Sequence, residues 1–337
     1  MIKKSTFIFS SGLMIAAGMA YKFMYNKNYK KVEEFVKPSV EELNKSDSWH
    51  HKYIESNDLN FHYVEAGETN KELVLLLHGF PEHWHTWRSQ IPYLAEKYHV
   101  VAIDMRGYNL SDKPKEVKDY RIELIVNDVK EIIKDLGYEK ANIVGHDWGG
   151  AIAWSFAAMY PEHLNKLIIL NSPHPVGMVK AMKTSLQLLH SWYILFFQLP
   201  AIPELSLSLN DYKVAAENLK KTSANPSIAF TEEDTSRYIS SIKVPGALSA
   251  MINYYRALLR YGIGVRIRKI ENPTLIIWGE KDVFLLKDVN QNIEKYVSDV
   301  KIEYIPEASH WVHRDAPDKV NKIIDDFLST SMQKFEN

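Results

Sequence analysis

Seven short apolar runs, separated by segments of helical period, constrain this chain more than any other feature of its sequence. They are LNFHYVEAG, ELVLLLHG, HVVAIDMRG, ANIVGHD, LNKLIILNSP, PTLIIWGEKD and VKIEYIPEAS. Bounded by turn residues, each reads as a strand. Strands with near-continuous apolar runs need cover on both faces, which suits a mostly parallel sheet. The intervening segments supply that cover. ELIVNDVKEIIKDLG sets Leu124, Ile125, Val129, Ile132, Ile133 and Leu136 at helical spacing and ends at Gly137. HWHTWRSQIPYLAEKY reads as one helix, WGGAIAWSFAAMYP as another stopped by Pro161, and an amphipathic helix from Pro317 closes the chain. Alternating strands and helices predict an α/β fold with a mostly parallel, doubly wound sheet.

The alternation stops between His174 and about Arg268. That stretch is rich in Leu, Tyr, Phe and Ser and reads as helices: SLQLLHSWYILFFQLP, YKVAAENLKK and GALSAMINYYRALLRYG. A helical insertion after one strand of a doubly wound sheet predicts a cap over the carboxyl ends of the strands, where ligands bind. The expected organisation is an α/β core over 49–173 and 269–337, interrupted by a cap over 174–268.

The first 48 residues lie outside this pattern. Residues 5–21, STFIFSSGLMIAAGMAY, carry no charge, with Lys3 and Lys4 before them and Lys22, Lys27, Lys30 and Lys31 after. About 20 apolar residues span a bilayer, with a lower limit near 17. Residues 1–31 are therefore expected to form a single-pass membrane anchor. The alternatives are a cleaved signal peptide, leaving a secreted or periplasmic protein, and an interfacial helix. Residues 32–48 read as a charged tether with one short helix.

Composition excludes several classes. Lys plus Arg is 41 and Asp plus Glu is 42, a net charge of −1 with no basic stripe, which argues against nucleic acid. The chain has no cysteine, so disulfides, thiolate metal sites and cysteine nucleophiles are all excluded. His83, His85 and His174 form no metal-ligand pattern.

Chemistry concentrates at the predicted strand ends. His78-Gly79-Phe80-Pro81 follows one strand, Asp147 in VGHDWGG a second, Asp282 in WGEKD a third and His310 in ASHW the last. Strand, Gly-flanked turn and helix around position 147 make the context of a nucleophile elbow, and nucleophile–acid–histidine is the chain order of α/β-hydrolase triads. Each has a plainer reading: Asp147 and Asp282 as helix or turn caps, His310 as a hydrogen-bonded structural histidine.

The motifs HGFPEHWHTW, DMRGYNLSDKP, VGHDWGG, WGEKD and EASHW, in this order, resemble those of the α/β-hydrolase epoxide hydrolases, over about Trp49 to Phe327. The uncharged N-terminus is similar to that of the membrane-anchored members. The resemblance implies an α/β-hydrolase fold, no cofactor or metal, and water as second substrate. It also implies that two cap tyrosines address the epoxide oxygen. Tyr193 in SWYILFFQLP and Tyr255 in INYYRALL match those positions, with Tyr254 a competitor for the second.

An aspartate at the elbow fits this chemistry. A carboxylate attacking a carbonyl would give a reactive anhydride, whereas attack on saturated carbon gives an alkyl ester. His310 would then activate water against that ester, with Asp282 holding the imidazole. Backbone N–H groups of Phe80 and Trp148 would receive the oxyanion. His78, Pro81, Trp148 and Trp311 are candidates for contacting substrate, although His78 also reads as ordering the HGFP loop. The expected activity is epoxide hydrolysis, with a lipid epoxide the substrate suggested by an apolar cap and an anchor. Alternatives are a dehalogenase on the same scaffold, for which Trp148 stands where a halide-binding tryptophan would, and a catalytically silent binding protein.

Overall fold

A computed structural model describes residues 35–46, 48–183, 185–263 and 268–330. The expected anchor, residues 1–31, lies outside the described residues. Among the described residues no helix is long and apolar enough to cross a membrane.

Helix α1 (Val40–Ser46) leads into β1 (His50–Ser56), β2 (Leu59–Ala66) and β3 (Leu73–Leu77). Helix α2 (Gln90–Ala95), β4 (His99–Ile103), α3 (Ile122–Asp135), β5 (Ala141–His146), α4 (Trp148–Met159) and β6 (Leu164–Leu170) follow. The cap helices are α5 (Pro175–Ala181), α6 (Ser185–His190), α7 (Trp192–Phe196), α8 (Ile202–Ser208), α9 (Lys213–Thr222), α10 (Pro226–Ala229), α11 (Glu232–Lys243) and α12 (Ala247–Tyr261). Strands β7 (Thr274–Gly279) and β8 (Val300–Ile305) and helices α13 (Val312–Asp315) and α14 (Pro317–Ser329) complete the core.

The sheet has the order β1-β2-β4-β3-β5-β6-β7-β8. Strand β2 runs antiparallel to both neighbours and all other pairs are parallel. Successive strand residues point to opposite faces, and two separate cores take them. Leu75, Leu77, Val101, Ile103 and Ile143 pack on one side. Val74, Leu76, Val100, Ala102 and Val144 pack on the other. A core on each face is the reason these runs are apolar at every position.

Two segments differ from expectation. HWHTWRSQIPYLAEKY is broken into a 3-10 turn, Trp84–Trp87, and the short α2. An unbroken helix would need an N–H at Pro92 directed at the Arg88 carbonyl, which proline lacks and its ring obstructs. The chain restarts two residues earlier, so that Pro92 falls in the first turn, where no such bond is needed. The sequence reading also omits β1. HHKYIES is an edge strand with much of its surface half-exposed or exposed, so it carries no apolar run.

Candidate active site

The nucleophile candidate stands where β5 ends and α4 begins. Asp147 adopts φ 50° and ψ −116°, a conformation few non-glycine residues take. Strain at a strand–helix junction is the mark of an elbow that lifts its side chain clear of the backbone. Gly149 in the elbow and Gly79 in the loop after β3 let the elements close on one another. A Cβ on Gly149 would lie 2.0 Å from the Leu77 carbonyl oxygen, and one on Gly79 would lie 2.4 Å from the Asp147 Cβ. Ser172, just past β6, donates its hydroxyl to the Asp147 carbonyl at 2.7 Å.

Three loops at the carboxyl ends of parallel strands converge on this carboxylate. From the loop after β3, Phe80 N–H donates to Asp147 Oδ1 at 2.8 Å. From the loop after β8, His310 Nε2 lies 3.5 Å from Asp147 Oδ2. From the loop after β7, Asp282 Oδ2 takes His310 Nδ1 at 2.7 Å. Asp282 is held in turn. Its Oδ1 accepts the N–H groups of Phe284 at 2.8 Å and Leu285 at 2.9 Å, and Asn171 donates to Oδ2 at 2.8 Å. Trp148 N–H is the first of the donors left without helical partners at the start of α4.

The charges are mutually dependent. Burial alone would push the His310 imidazolium down, but the Asp282 and Asp147 carboxylates outweigh it and raise its pKa to about 10. Burial likewise works against the Asp147 carboxylate, yet His310 and the Phe80 N–H hold it below the ordinary range. Both shifts favour the charged forms, an Asp147 carboxylate facing a His310 imidazolium.

Asp147 and His310 open into a cavity of about 330 Å³ whose other walls come largely from the cap. Phe80, Pro81, Tyr193, Tyr255, Phe284 and Trp311 line it. Burial, reinforced by the negative charge of Asp147, raises both phenols well above their usual range, so both keep their protons. Their rings are 5.8 Å apart. Tyr254 is turned away: its hydroxyl donates to the Arg106 carbonyl at 2.7 Å. Of the adjacent pair, Tyr255 is the one in the cavity.

Two candidates for substrate contact lie elsewhere. His78 is fully buried. Its Nδ1–H donates to the Gly79 carbonyl and its Nε2 accepts from Met105 N–H, both at 3.0 Å. It ties the HGFP loop to the end of β4 and is not part of the cavity lining. The Trp148 ring packs edge-on to Tyr255 with centroids 5.0 Å apart. It supports the cavity wall from behind. Trp311 does line the cavity and also joins core to cap, donating its indole N–H to Thr222 of α9 at 3.0 Å.

The sequence reading misses Asn171, Ser172, Glu82 and His146. His146 bridges Glu82 Oε2 at 3.0 Å and the His310 carbonyl at 2.9 Å. Asn171 also accepts Gly279 N–H at 2.8 Å. Asn171 has φ 38°, and its place at the end of the fifth apolar run was the one available signal. Among the described residues, Glu82, His146 and His313 have donor atoms within 4.8 Å of one another. They are already joined: Thr86 hydrogen-bonds both Glu82 and His313, and Arg314 lies 3.8 Å from Glu82. A cation beside the carboxylate suits an internal polar network better than a divalent ion.

Comparison with known proteins agrees with this geometry. The family model described as alpha/beta hydrolase fold matches residues 72–317. The chain is 41% identical over 291 residues to epoxide hydrolase 4 of Homo sapiens, covering 84% of this chain and 80% of that protein. It is 41% identical over 283 residues to the AB hydrolase superfamily protein YfhM of Bacillus subtilis, covering 82% and 97%. The crystal structure of the Bacillus megaterium epoxide hydrolase in complex with an inhibitor is similar, with TM-score 0.75 and 33% identity over 83% of this chain and all of that one. The chain therefore belongs to the α/β-hydrolase fold family and, within it, to the epoxide hydrolases.

Proposed function

We propose that this epoxide hydrolase converts epoxides to vicinal diols through an ester on Asp147. The observation that carries the reading is the joint placement of the Asp147–His310–Asp282 chain and two protonated tyrosines on one cavity. A carboxylate oxygen of Asp147 attacks a ring carbon as the carbon–oxygen bond of the epoxide breaks. Tyr193 and Tyr255 donate to the leaving oxygen, one of them giving up its proton.

Ester formation removes one of the two negative charges that raise His310. The imidazolium becomes more acidic at the moment a base is needed, and its proton restores the phenol. Neutral His310 then takes a proton from water as the hydroxide attacks the Asp147 carbonyl carbon. Phe80 N–H already sits on Asp147 Oδ1, where the oxyanion forms, and Trp148 N–H is the second donor. Collapse expels the diol oxygen, which takes the proton left on the new carboxyl group. Asp147 returns as carboxylate and His310 as imidazolium.

A dehalogenase reading is less favoured. The Trp148 ring is packed against Tyr255 and is not part of the cavity lining, and Phe80 offers no side-chain donor to a halide. The aromatic and aliphatic lining suits an apolar, lipid-like epoxide, and residues 1–31 would serve as a single-pass anchor near that substrate.

One turnover in oxygen-18 water with enzyme in excess tests the nucleophile. The expected result is unlabelled diol and label in the Asp147 peptide. Labelled diol in that first turnover would mean that water attacks the epoxide directly and would overturn the proposal.

A further inference from the structure

The outer surface of the cap between α6 and the end of α7 has its polarity reversed. Leu186, Leu188 and Leu189 are exposed, Leu189 by 70%. Trp192 and Leu195 on α7 are more than 60% exposed, and Leu199 follows. Leu188 on α6, Trp192 and Leu195 on α7 and Leu199 just past it are all exposed, so the apolar surface continues across two consecutive short helices. The inward side of the same segment is polar where it meets the core. Gln187 donates to the Phe284 carbonyl at 2.8 Å and His190 Nδ1 to that of Val283 at 2.7 Å. Both partners lie in the loop that follows catalytic-site residue Asp282. Large contiguous apolar patches are rare on surfaces meeting only water.

Two observations define what covers this surface. The first is charge. From Pro175 to Leu209 the charged residues are Lys180, Lys183 and Glu204. Glu204 is buried against Arg256 at 2.7 Å, so the charge presented outward is positive. The second is continuity. Trp192 belongs to this surface and also lines the cavity, so the apolar surface runs into the site. Apolar residues with an interfacial indole and a basic margin match an anionic phospholipid surface.

We propose that α6 and α7 dock the cap on an anionic lipid surface, and that apolar substrate enters from that surface past Trp192. The docking is separate from any contact by residues 1–31; the entry route rests on the epoxide hydrolase reading of the cavity.

The full chain contains no cysteine, which allows single-site labelling. Leu188→Cys and Leu195→Cys would carry a polarity-sensitive fluorophore, with Lys319→Cys on α14 as the control. On phosphatidylcholine vesicles containing phosphatidylserine, the first two labels should shift to the blue and become shielded from aqueous iodide, while the third stays in water. Labels at 188 and 195 that remain in water, whether or not the protein binds vesicles, would overturn the docking. So would an equal shift at 319. A shift that needs no vesicles and follows protein concentration and sedimentation would assign the face to a second copy, which also overturns it.

Leu188→Glu/Leu195→Glu should weaken vesicle binding by roughly 100-fold, about tenfold for each leucine. It should slow turnover of a vesicle-borne epoxide while leaving that of a water-soluble epoxide unchanged. Equal loss on both substrates would overturn the entry route. Absence of any epoxide turnover in the unsubstituted chain would defeat the functional reading but leave the fluorescence result standing.

Discussion

Asn171 donates its side-chain amide to the same Asp282 oxygen, Oδ2, that receives His310 Nδ1, at 2.8 Å and 2.7 Å. One short side chain thus connects the end of β6 to the acid that orients the histidine. Its other contacts, with Gly279 N–H and carbonyl oxygen, fix it to the end of β7. Asp282 is held in place by a residue that never reaches the cavity.

Replacing Asn171 by Ala should slow ester hydrolysis about tenfold, less than the factor of roughly 100 or more expected for removing an acid or base itself. Alkylation, measured as the pre-steady-state formation of the ester, should change little. Equal slowing of both phases would show that the substitution disturbs the whole site and not the histidine alone.

The adjacent tyrosines should separate cleanly. Tyr255→Phe removes a donor from the leaving oxygen and should slow alkylation by about 100-fold, partly covered by Tyr193. Tyr254→Phe leaves the buried Arg106 carbonyl without that partner, at a cost of about 1–3 kcal/mol in stability. Its alkylation rate should stay near that of the parent. Rapid-quench kinetics beside thermal unfolding distinguishes the two, and a reversed pattern would exchange their roles.

His310 should make stability depend on alkaline pH. Its folded pKa of about 10 exceeds the ordinary value of 6.5. Below 6.5 both states hold the proton and the stabilisation is fully present. As pH rises from 6.5 towards 10, the unfolded chain releases its proton first and the contribution is lost. The melting temperature of the parent should therefore fall relative to that of His310→Gln across this window. Parallel curves would mean that the two carboxylates do not hold the imidazolium charged. The same variant should accumulate a covalent ester on Asp147, visible as a mass increase equal to that of the substrate.

Gly149→Ala should fail to give folded protein, or lose several kcal/mol, on the order of severe overpacking. The added Cβ would lie 2.0 Å from the Leu77 carbonyl oxygen, between two backbones that cannot yield separately. Gly137→Ala meets nothing within 4 Å and carries only the strain of φ +87°, about 1–2 kcal/mol. Denaturant titration of the two variants measures the difference.

The sequence by itself determined the parallel core and the position of the elbow that carries the candidate nucleophile. Both are written locally. An apolar run bounded by turn residues makes a strand, and Gly-flanked Asp147 between a strand and a helix makes an elbow. Strand β1 escaped because an edge strand with a wet face has no apolar run, and α2 was overextended because periodicity outweighed Pro92. Only the tertiary structure decided the direction of individual side chains. Successive helical residues differ in direction by about 100°, so Tyr254 and Tyr255 read alike in sequence. The rotation of α12, fixed by its packing, sends one hydroxyl to Arg106 and leaves the other in the cavity. His78 likewise carries a strand-end histidine's signature, but both ring nitrogens are taken by backbone groups, one of them 27 residues away in sequence at Met105. Asn171 and Asp282 are 111 residues apart. Contacts that close over such distances depend on how whole elements pack, and no local pattern encodes them.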